Sequence, residues 1–132
     1  MLISPMSGNI FGDADSSFVV AEWTQEGAPA GELPMWVAPL HRHRTCDEGW
    51  YVLEGALCVQ IDGVTFTANA GDAIWAKRGT AHTYWNPNPQ PVRYLLIMTP
   101  KTNSLIGAIH STTDRSRESL SALFDRYDSD LL

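Results

Sequence analysis

The chain has 132 residues, of which 44% are hydrophobic, and this length suits one domain with a substantial core rather than two small ones. Its formal net charge is −6 and its nine Lys and Arg residues are scattered, so we expect no nucleic acid partner. No apolar run approaches the roughly 18 residues that cross a bilayer, and the amino terminus lacks the basic and apolar segments of a secretion signal. We therefore expect a cytoplasmic protein without membrane association, whose two cysteines are free thiols.

Residues 1–17 are rich in Gly, Ser, Asp and Asn, which predicts an amino-terminal arm. Residues 18–100 predict an all-β domain, because short apolar segments alternate there with turn signals. The predicted strands are residues 18–23, 33–43, 50–53, 57–61, 64–67, 73–76, a strand that carries His82 and Tyr84, and 92–99. We find no internal repeat, so we expect a single barrel.

Two turn signals predict hairpins in the middle of the domain. Asp62-Gly63 predicts a tight turn between the strands 57–61 and 64–67. Glu54-Gly55 predicts a second hairpin, between 50–53 and 57–61. The segment 86–91 contains three prolines, which lack backbone donors, so we expect a loop there.

Residues 101–132 predict a helical extension that packs on the barrel. The apolar residues at helical spacing are Leu120, Leu123, Phe124 and Tyr127. They fall at i, i+3, i+4 and i+7, the stripe of an amphipathic helix, and Asp114 or Ser116 is available as its cap. We interpret His110 as a surface or helix-capping residue.

Three histidines and one glutamate form the candidate metal site. His41 and His43 lie two residues apart, so on a strand their side chains project to the same face, about 7 Å apart. Glu48 follows after a short turn, and His82 offers a third imidazole. A single buried histidine is often only a core residue, but this spaced set predicts metal binding.

The spacing of these residues resembles the two signature motifs of the cupin family. The first motif reads His-x-His, four residues, Glu48, six residues and Gly55; the second reads Gly71, seven residues, Gly79, two residues, His82, three residues and Asn86. The resemblance covers roughly residues 35–99 and implies the cupin double-stranded β-helix, a jelly-roll barrel with a metal in its mouth. Met35 and Lys77 replace a glycine and a proline that the family usually has, and neither position is a ligand.

Three neutral imidazoles and a carboxylate suit one divalent transition metal per chain (Fe, Mn, Ni, Co, Cu or Zn) better than Ca or Mg. Four protein ligands leave an open position for water, dioxygen or a chelating substrate. Cys46 lies between the ligands and could be a soft ligand, although a small residue in a turn is the simpler interpretation.

Side chains that share the ligands' face predict the wall of a substrate pocket. Trp50 and Val52 follow Glu48 with this parity, and Tyr84 follows His82. One face of 92–99 should close the far wall, either Val92, Tyr94, Leu96 and Met98 or the alternate set. We select Trp50, Val52, Tyr84 and Tyr94 as pocket residues, while Lys77 and Arg78 could attract an anionic substrate or simply be solvated.

The chain resembles the small single-barrel cupins of the quercetin-dioxygenase-like type. This resemblance implies a metal-dependent enzyme for a small hydroxylated or enolic substrate, in which Glu48 is both ligand and catalytic base. Related cupins imply alternatives: an isomerase, decarboxylase or cyclase, a non-catalytic binding or sensing module, or a protein with a structural metal. The family also implies a homodimer, formed through sheet edges or exchanged amino-terminal strands.

Overall fold

The computed structural model describes all residues from 1 to 132 and contains ten strands and two helices. In chain order these are β1 (Ile10–Phe11), β2 (Val19–Gln25), β3 (His41–His43), β4 (Glu48–Glu54), β5 (Ala56–Ile61), β6 (Val64–Asn69), β7 (Ala73–Ala76), β8 (His82–Trp85), β9 (Val92–Met98), α1 (Pro100–Ser111), α2 (Arg117–Arg126) and β10 (Ser129–Leu131). The strands form two five-stranded antiparallel sheets, ordered β1-β2-β9-β4-β7 and β10-β3-β8-β5-β6. The predicted jelly-roll barrel with a carboxyl-terminal helix is confirmed.

The core fills the space between the two sheets. Alternate residues of β4 and β9 point inward, and the register pairs Trp50 with Leu96 and Val52 with Tyr94. Of the two possible faces of β9, the buried one carries Val92, Tyr94, Leu96 and Met98. Burial of such large apolar side chains is the main driving force for closing the barrel.

The predicted hairpin across Glu54-Gly55 is wrong. β4 pairs with β7 and β9, whereas β5 pairs with β6 and β8, so the chain crosses from one sheet to the other at Gly55. Gly55 has φ of +78°, and a Cβ there would lie 2.7 Å from the Pro91 carbonyl oxygen. The glycine is therefore required by a close backbone approach. The other predicted hairpin, β5 to β6, is confirmed, with positive φ at both Asp62 and Gly63.

The strand predicted over residues 33–43 is also shorter than expected. Only His41–His43 forms a regular strand, and upstream of it Trp36 makes an isolated bridge to Trp85. Pro34 and Pro39 interrupt the segment, because proline cannot donate a ladder hydrogen bond. Within the predicted arm, Ile10–Phe11 adds an edge strand to β2.

The carboxyl-terminal extension contains two helices instead of one. The predicted helix is α2, which is capped by Ser116 and buries Phe124. The unpredicted helix α1 starts after Thr99, whose hydroxyl accepts a hydrogen bond from the Thr102 amide. β10 then returns to the barrel and pairs with β3, with Ser129 opposite His43. Neither helix is long and apolar enough to span a membrane.

Candidate metal centre

The four predicted ligands converge at one end of the barrel. β3 contributes His41 and His43, β8 begins with His82, and β4 of the opposite sheet begins with Glu48. The register places His41 directly opposite His82. One ligand atom from each of the four residues lies within 4.8 Å of the others, and all four side chains are buried.

Hydrogen bonds donated by Nδ1 fix the orientation of the imidazoles. Nδ1 of His41 lies 2.7 Å from the Pro39 carbonyl oxygen, and Nδ1 of His82 lies 3.1 Å from the Thr80 carbonyl oxygen. A carbonyl oxygen can only accept, so each Nδ1 carries the proton. In the neutral ring, Nε2 then has a free lone pair, which is the form that binds a metal.

His43 reaches the same state through a serine hydroxyl. Its Nδ1 lies 2.7 Å from Oγ of Ser129, and that hydroxyl donates its own proton to the Tyr127 carbonyl oxygen at 3.2 Å. The Ser129 hydroxyl therefore accepts from Nδ1 of His43. All three imidazoles thus direct Nε2 toward the centre of the site, where its lone pair can bind a metal once the ring is neutral.

The contacts among the four ligand side chains are better explained by a bound cation than by direct hydrogen bonds between the side chains. Nε2 of His82 and Nε2 of His43 lie 2.8 and 3.2 Å from the same Glu48 oxygen, Oε2. If both imidazoles are neutral and protonated on Nδ1, the lone pair of each Nε2 points at a negatively charged Glu48 oxygen, which is repulsive. Either a proton or a cation must lie there, and three nitrogens with one carboxylate oxygen match a divalent transition metal.

Burial and mutual contacts shift the pKa values of the ligands. Burial and the nearby His82 lower the pKa of His41 to about 4, so this ring is neutral at physiological pH. Burial is the largest single influence on His82 and would lower its pKa, but the hydrogen bond to Glu48, the negative charge of Glu48 and the hydrogen bond to the Thr80 carbonyl oxygen together raise that pKa. Burial would raise the pKa of Glu48, but in the metal-free site the hydrogen bonds and positive charge that His43 and His82 offer when their rings carry the extra proton together lower that pKa well below its usual range. The carboxylate is therefore ionised and available as a ligand.

An apolar cavity of about 290 Å³ leads to the ligands. His41 and Glu48 lie at its inner end, and Tyr84, Tyr94 and Leu96 belong to its wall. The helices supply the opposite side, with Leu105, Ile106 and Ile109 of α1 and Phe124 of α2. Such a volume lies near the lower end of the range for small-molecule pockets.

The predicted pocket residues occupy two different places. Tyr84 and Tyr94 line the cavity, where burial is the main cause that raises the pKa of both phenols. Trp50 and Val52 lie in the core and are not part of the cavity wall. The Trp50 ring instead packs edge-on against His82, with centroids 5.7 Å apart, and so supports a ligand from behind.

Four other residues that the sequence analysis considered lie outside the cluster of ligands. Arg78 forms an ion pair with Asp47 at 3.1 Å, and Lys77 lies over the Trp75 ring, so neither lines the cavity. Cys46 is buried beside Thr99 and is not one of the four clustered ligand residues. His110, interpreted as a surface residue, is exposed in the last turn of α1 and also lines the cavity rim.

Two residues of the carboxyl-terminal extension contribute to the site and were not predicted from the sequence. Ser129 holds His43, and Arg115 lines the cavity beside α1. Ser129 lies 86 residues from His43 along the chain, and no motif links the two. The only available signal was the helical stripe, which indicated that this segment packs on the barrel.

The comparisons with known proteins agree with this fold. The family model of the cupin domain matches residues 33–98, which is half of the chain, so the chain belongs to the cupin family. Comparison with curated proteins finds no significant match. The matched segment ends at β9, so α1, α2 and β10 lie outside it.

Three solved structures illustrate the similarity. A cupin protein from Bacteroides fragilis has a TM-score of 0.55 and 20% identity, covering 65% of this chain and 68% of that one. A cupin-superfamily sugar phosphate isomerase from Silicibacter pomeroyi has a TM-score of 0.54 and 26% identity, covering 64% and 51%. A predicted oxalate decarboxylase from Thermotoga maritima has a TM-score of 0.51 and 21% identity, covering 62% and 64%. The alignment thus spans about half the length of the Silicibacter protein.

Proposed function

We propose that this cupin is a metal-dependent enzyme with dioxygenase-like chemistry, acting on a small hydroxylated or enolic organic molecule. The observation that supports this proposal is the cavity that reaches His41 and Glu48. A closed structural site has no such approach, whereas a catalytic site keeps an accessible position. The apolar wall suits a flat organic body rather than a highly hydrated one.

The residues of the site have distinct roles in this proposal. The bound metal supplies Lewis acidity and, when it is redox-active, reactivity toward dioxygen. His41, His43 and His82 hold it through Nε2, and Trp50 keeps His82 in place. Glu48 is ionised and borders the cavity, so its carboxylate can accept a proton from a substrate hydroxyl.

An isomerase is the second candidate function. It is supported by the 26% identity to the Silicibacter sugar phosphate isomerase at a TM-score of 0.54. The same ionised Glu48 would then move a proton between carbon positions of a metal-chelated substrate, with no consumption of dioxygen.

Turnover assays distinguish these functions. The metal-loaded protein is incubated with flavonols, catechols and small diketones on an oxygen electrode, and with sugar phosphates in deuterated water followed by NMR. Oxygen uptake supports the dioxygenase, and deuterium exchange at carbon supports the isomerase. His82→Ala should abolish either activity through loss of the metal, while His110→Ala should retain the metal. Ligand binding without either reaction would refute the enzyme and favour a binding module.

We also propose that the protein forms a homodimer through the outer face of the sheet that contains β4. The register aligns Phe11, Val20, Ile97, Gly49 and Trp75 in one row across all five strands. Trp75 is 60% exposed, and a groove of about 590 Å³ runs beside it along β4 and β7. Monomers rarely leave such a continuous apolar surface in water, and an apolar face can pair with itself about a two-fold axis.

Light scattering at micromolar concentration tests the dimer. The wild type should have the mass of two chains, and Trp75→Lys should reduce it to one. Val64→Lys is the matched control, since Val64 is 56% exposed on β6 of the other sheet. A wild-type monomer, or a dimer that survives Trp75→Lys but not Val64→Lys, contradicts the proposed face.

A further inference from the structure

The metal cavity has a polar rim where it meets solvent. The exposed Arg115 and His110 and the half-buried Gln25 and Trp23 line it there, while the remaining wall is mainly apolar. Arg115 follows α1 and His110 lies in its last turn, so both belong to the extension beyond the family segment. The rim is therefore a feature of this chain rather than of the shared barrel.

Arg115 is the only basic side chain that is permanently charged among the residues lining this cavity. It forms no ion pair, and its one hydrogen bond runs from Nη1 to the Ile109 carbonyl oxygen at 3.0 Å. A guanidinium has five N–H donors, so most of its donors have no protein partner. By contrast, Arg42, Arg44, Arg78, Arg93 and Lys101 are all paired with carboxylates.

Trp23 supplies a second donor at the same end. Its Nε1 is buried and has no hydrogen-bond partner, although the ring lines the cavity and packs edge-on against His110. Buried donors are nearly always satisfied in folded proteins. Because Nε1 has almost no accessible surface, a small rotation of the ring would be needed to bring it to an acceptor on a bound ligand.

The charges of the cavity favour an anion. Glu48 is its only carboxylate, and this side chain is a ligand of the metal at the inner end. No acidic residue lines the rim, so nothing in the cavity competes for Arg115. With a divalent ion bound, the cavity is positive in a chain whose net charge is −6.

We propose that the ligand of this cavity is a small organic acid whose carboxylate binds to Arg115 and Trp23 at the rim. Its body is apolar or aromatic and packs between the tyrosines of the barrel and the helices. Its other end carries the hydroxyl or enol oxygen that binds the metal. This assignment rests on the proposed function for the metal end, and it adds the charge of the substrate and the residue that selects it.

The test compares an acid with its neutral isostere. The probes are 3,4-dihydroxyphenylacetate, with a catechol for the metal and a distal carboxylate, and 3,4-dihydroxyphenylacetamide. Their affinities for the Co(II)-loaded wild type are measured by calorimetry. Charge-assisted hydrogen bonds to the carboxylate should make the acid bind about tenfold tighter or more.

Variants locate the source of this preference. Arg115→Gln should bring the acid to the affinity of the amide and leave the amide unchanged, and Arg115→Lys should keep part of the preference, because lysine retains charge without the planar fork. Trp23→Phe should weaken the acid more than the amide. Arg117→Gln is the matched control, since Arg117 is exposed, unpaired and outside the cavity. Circular dichroism checks that each variant is folded.

The outcomes separate this assignment from the proposed function. Equal affinities of acid and amide for the wild type, a preference that survives Arg115→Gln, or no binding of either probe would overturn the assignment. If the metal-free protein binds both probes as tightly as the Co(II) form, the metal end of the proposal fails. If the metal-free protein still prefers the acid over the amide, and this preference is lost in Arg115→Gln, the carboxylate site is supported even though the metal end fails.

Discussion

Replacing Ser129 by alanine should weaken metal binding without removing any ligand. In the wild type the Ser129 hydroxyl accepts from Nδ1 of His43, so Nε2 is free for the metal. Without the hydroxyl, the metal-free protein can move the ring proton to Nε2, where it donates to the Glu48 carboxylate at 3.2 Å. Metal binding reverses this tautomer and leaves a buried Nδ1–H without a partner, because His43 and Ser129 are only 3% and 1% exposed.

The magnitude follows from that unpaired donor. A buried, unsatisfied group costs about 1–3 kcal/mol, and loss of a hydrogen bond behind a metal-bound histidine typically lowers affinity about 10–100-fold. The dissociation constant of Zn(II) or Co(II), measured by competition with a chelator, should rise by that factor in Ser129→Ala. Ser121→Ala is the control, since Ser121 is exposed on the neighbouring helix α2. Equal affinity of wild type and Ser129→Ala would refute the role given to the hydroxyl.

Two further predictions concern pH and the sheet crossing. Because the pKa of His82 is raised, a metal ion must displace a proton from this ring. The affinity for the metal should therefore increase with pH from about 5 and level off above the pKa of His82. His41 has a pKa of about 4 and is already neutral in this range, so it adds nothing to this pH dependence. Chelator competition across this range checks this, and an affinity that is flat or falls with pH would contradict it. Gly55→Ala should lower the free energy of unfolding by more than about 1 kcal/mol. The new side chain would have to adopt a positive φ and would lie 2.7 Å from a backbone oxygen. Gly63→Ala should cost less, because position 63 also has a positive φ but has open space around it. Urea unfolding measures both variants, and a loss at Gly55 no larger than at Gly63 would count against the close approach.

The ligand set was predictable because β-structure has a period of two. His41 and His43 must share a face on any strand, and the spacing to Glu48 and His82 matched a known pair of motifs. The same parity argument identified the inward face of β9. These inferences need only local geometry.

The remaining features depend on contacts between distant segments. The turn at Gly55 looks like a hairpin in the sequence, and only the pairing of β4 and β5 with distant strands shows that it joins two sheets. Helix α1 has a weak apolar stripe that is interrupted by Gly107, and the pairing of β10 with β3 joins residues that no motif relates. Sequence patterns could therefore not predict the residues at the rim of the cavity or the hydrogen bond between Ser129 and His43.

The proposed function requires that His41, His43, Glu48 and His82 bind one divalent transition metal through three imidazole nitrogens and a carboxylate oxygen. Metal analysis combined with X-ray absorption of the protein purified without added metal is the decisive experiment. We expect about one ion per chain, an absorption spectrum with the scattering of several imidazoles, and loss of the ion in His82→Ala. A stoichiometric ion that shows no imidazole scattering, or metal content unchanged in His82→Ala, would contradict this ligand set.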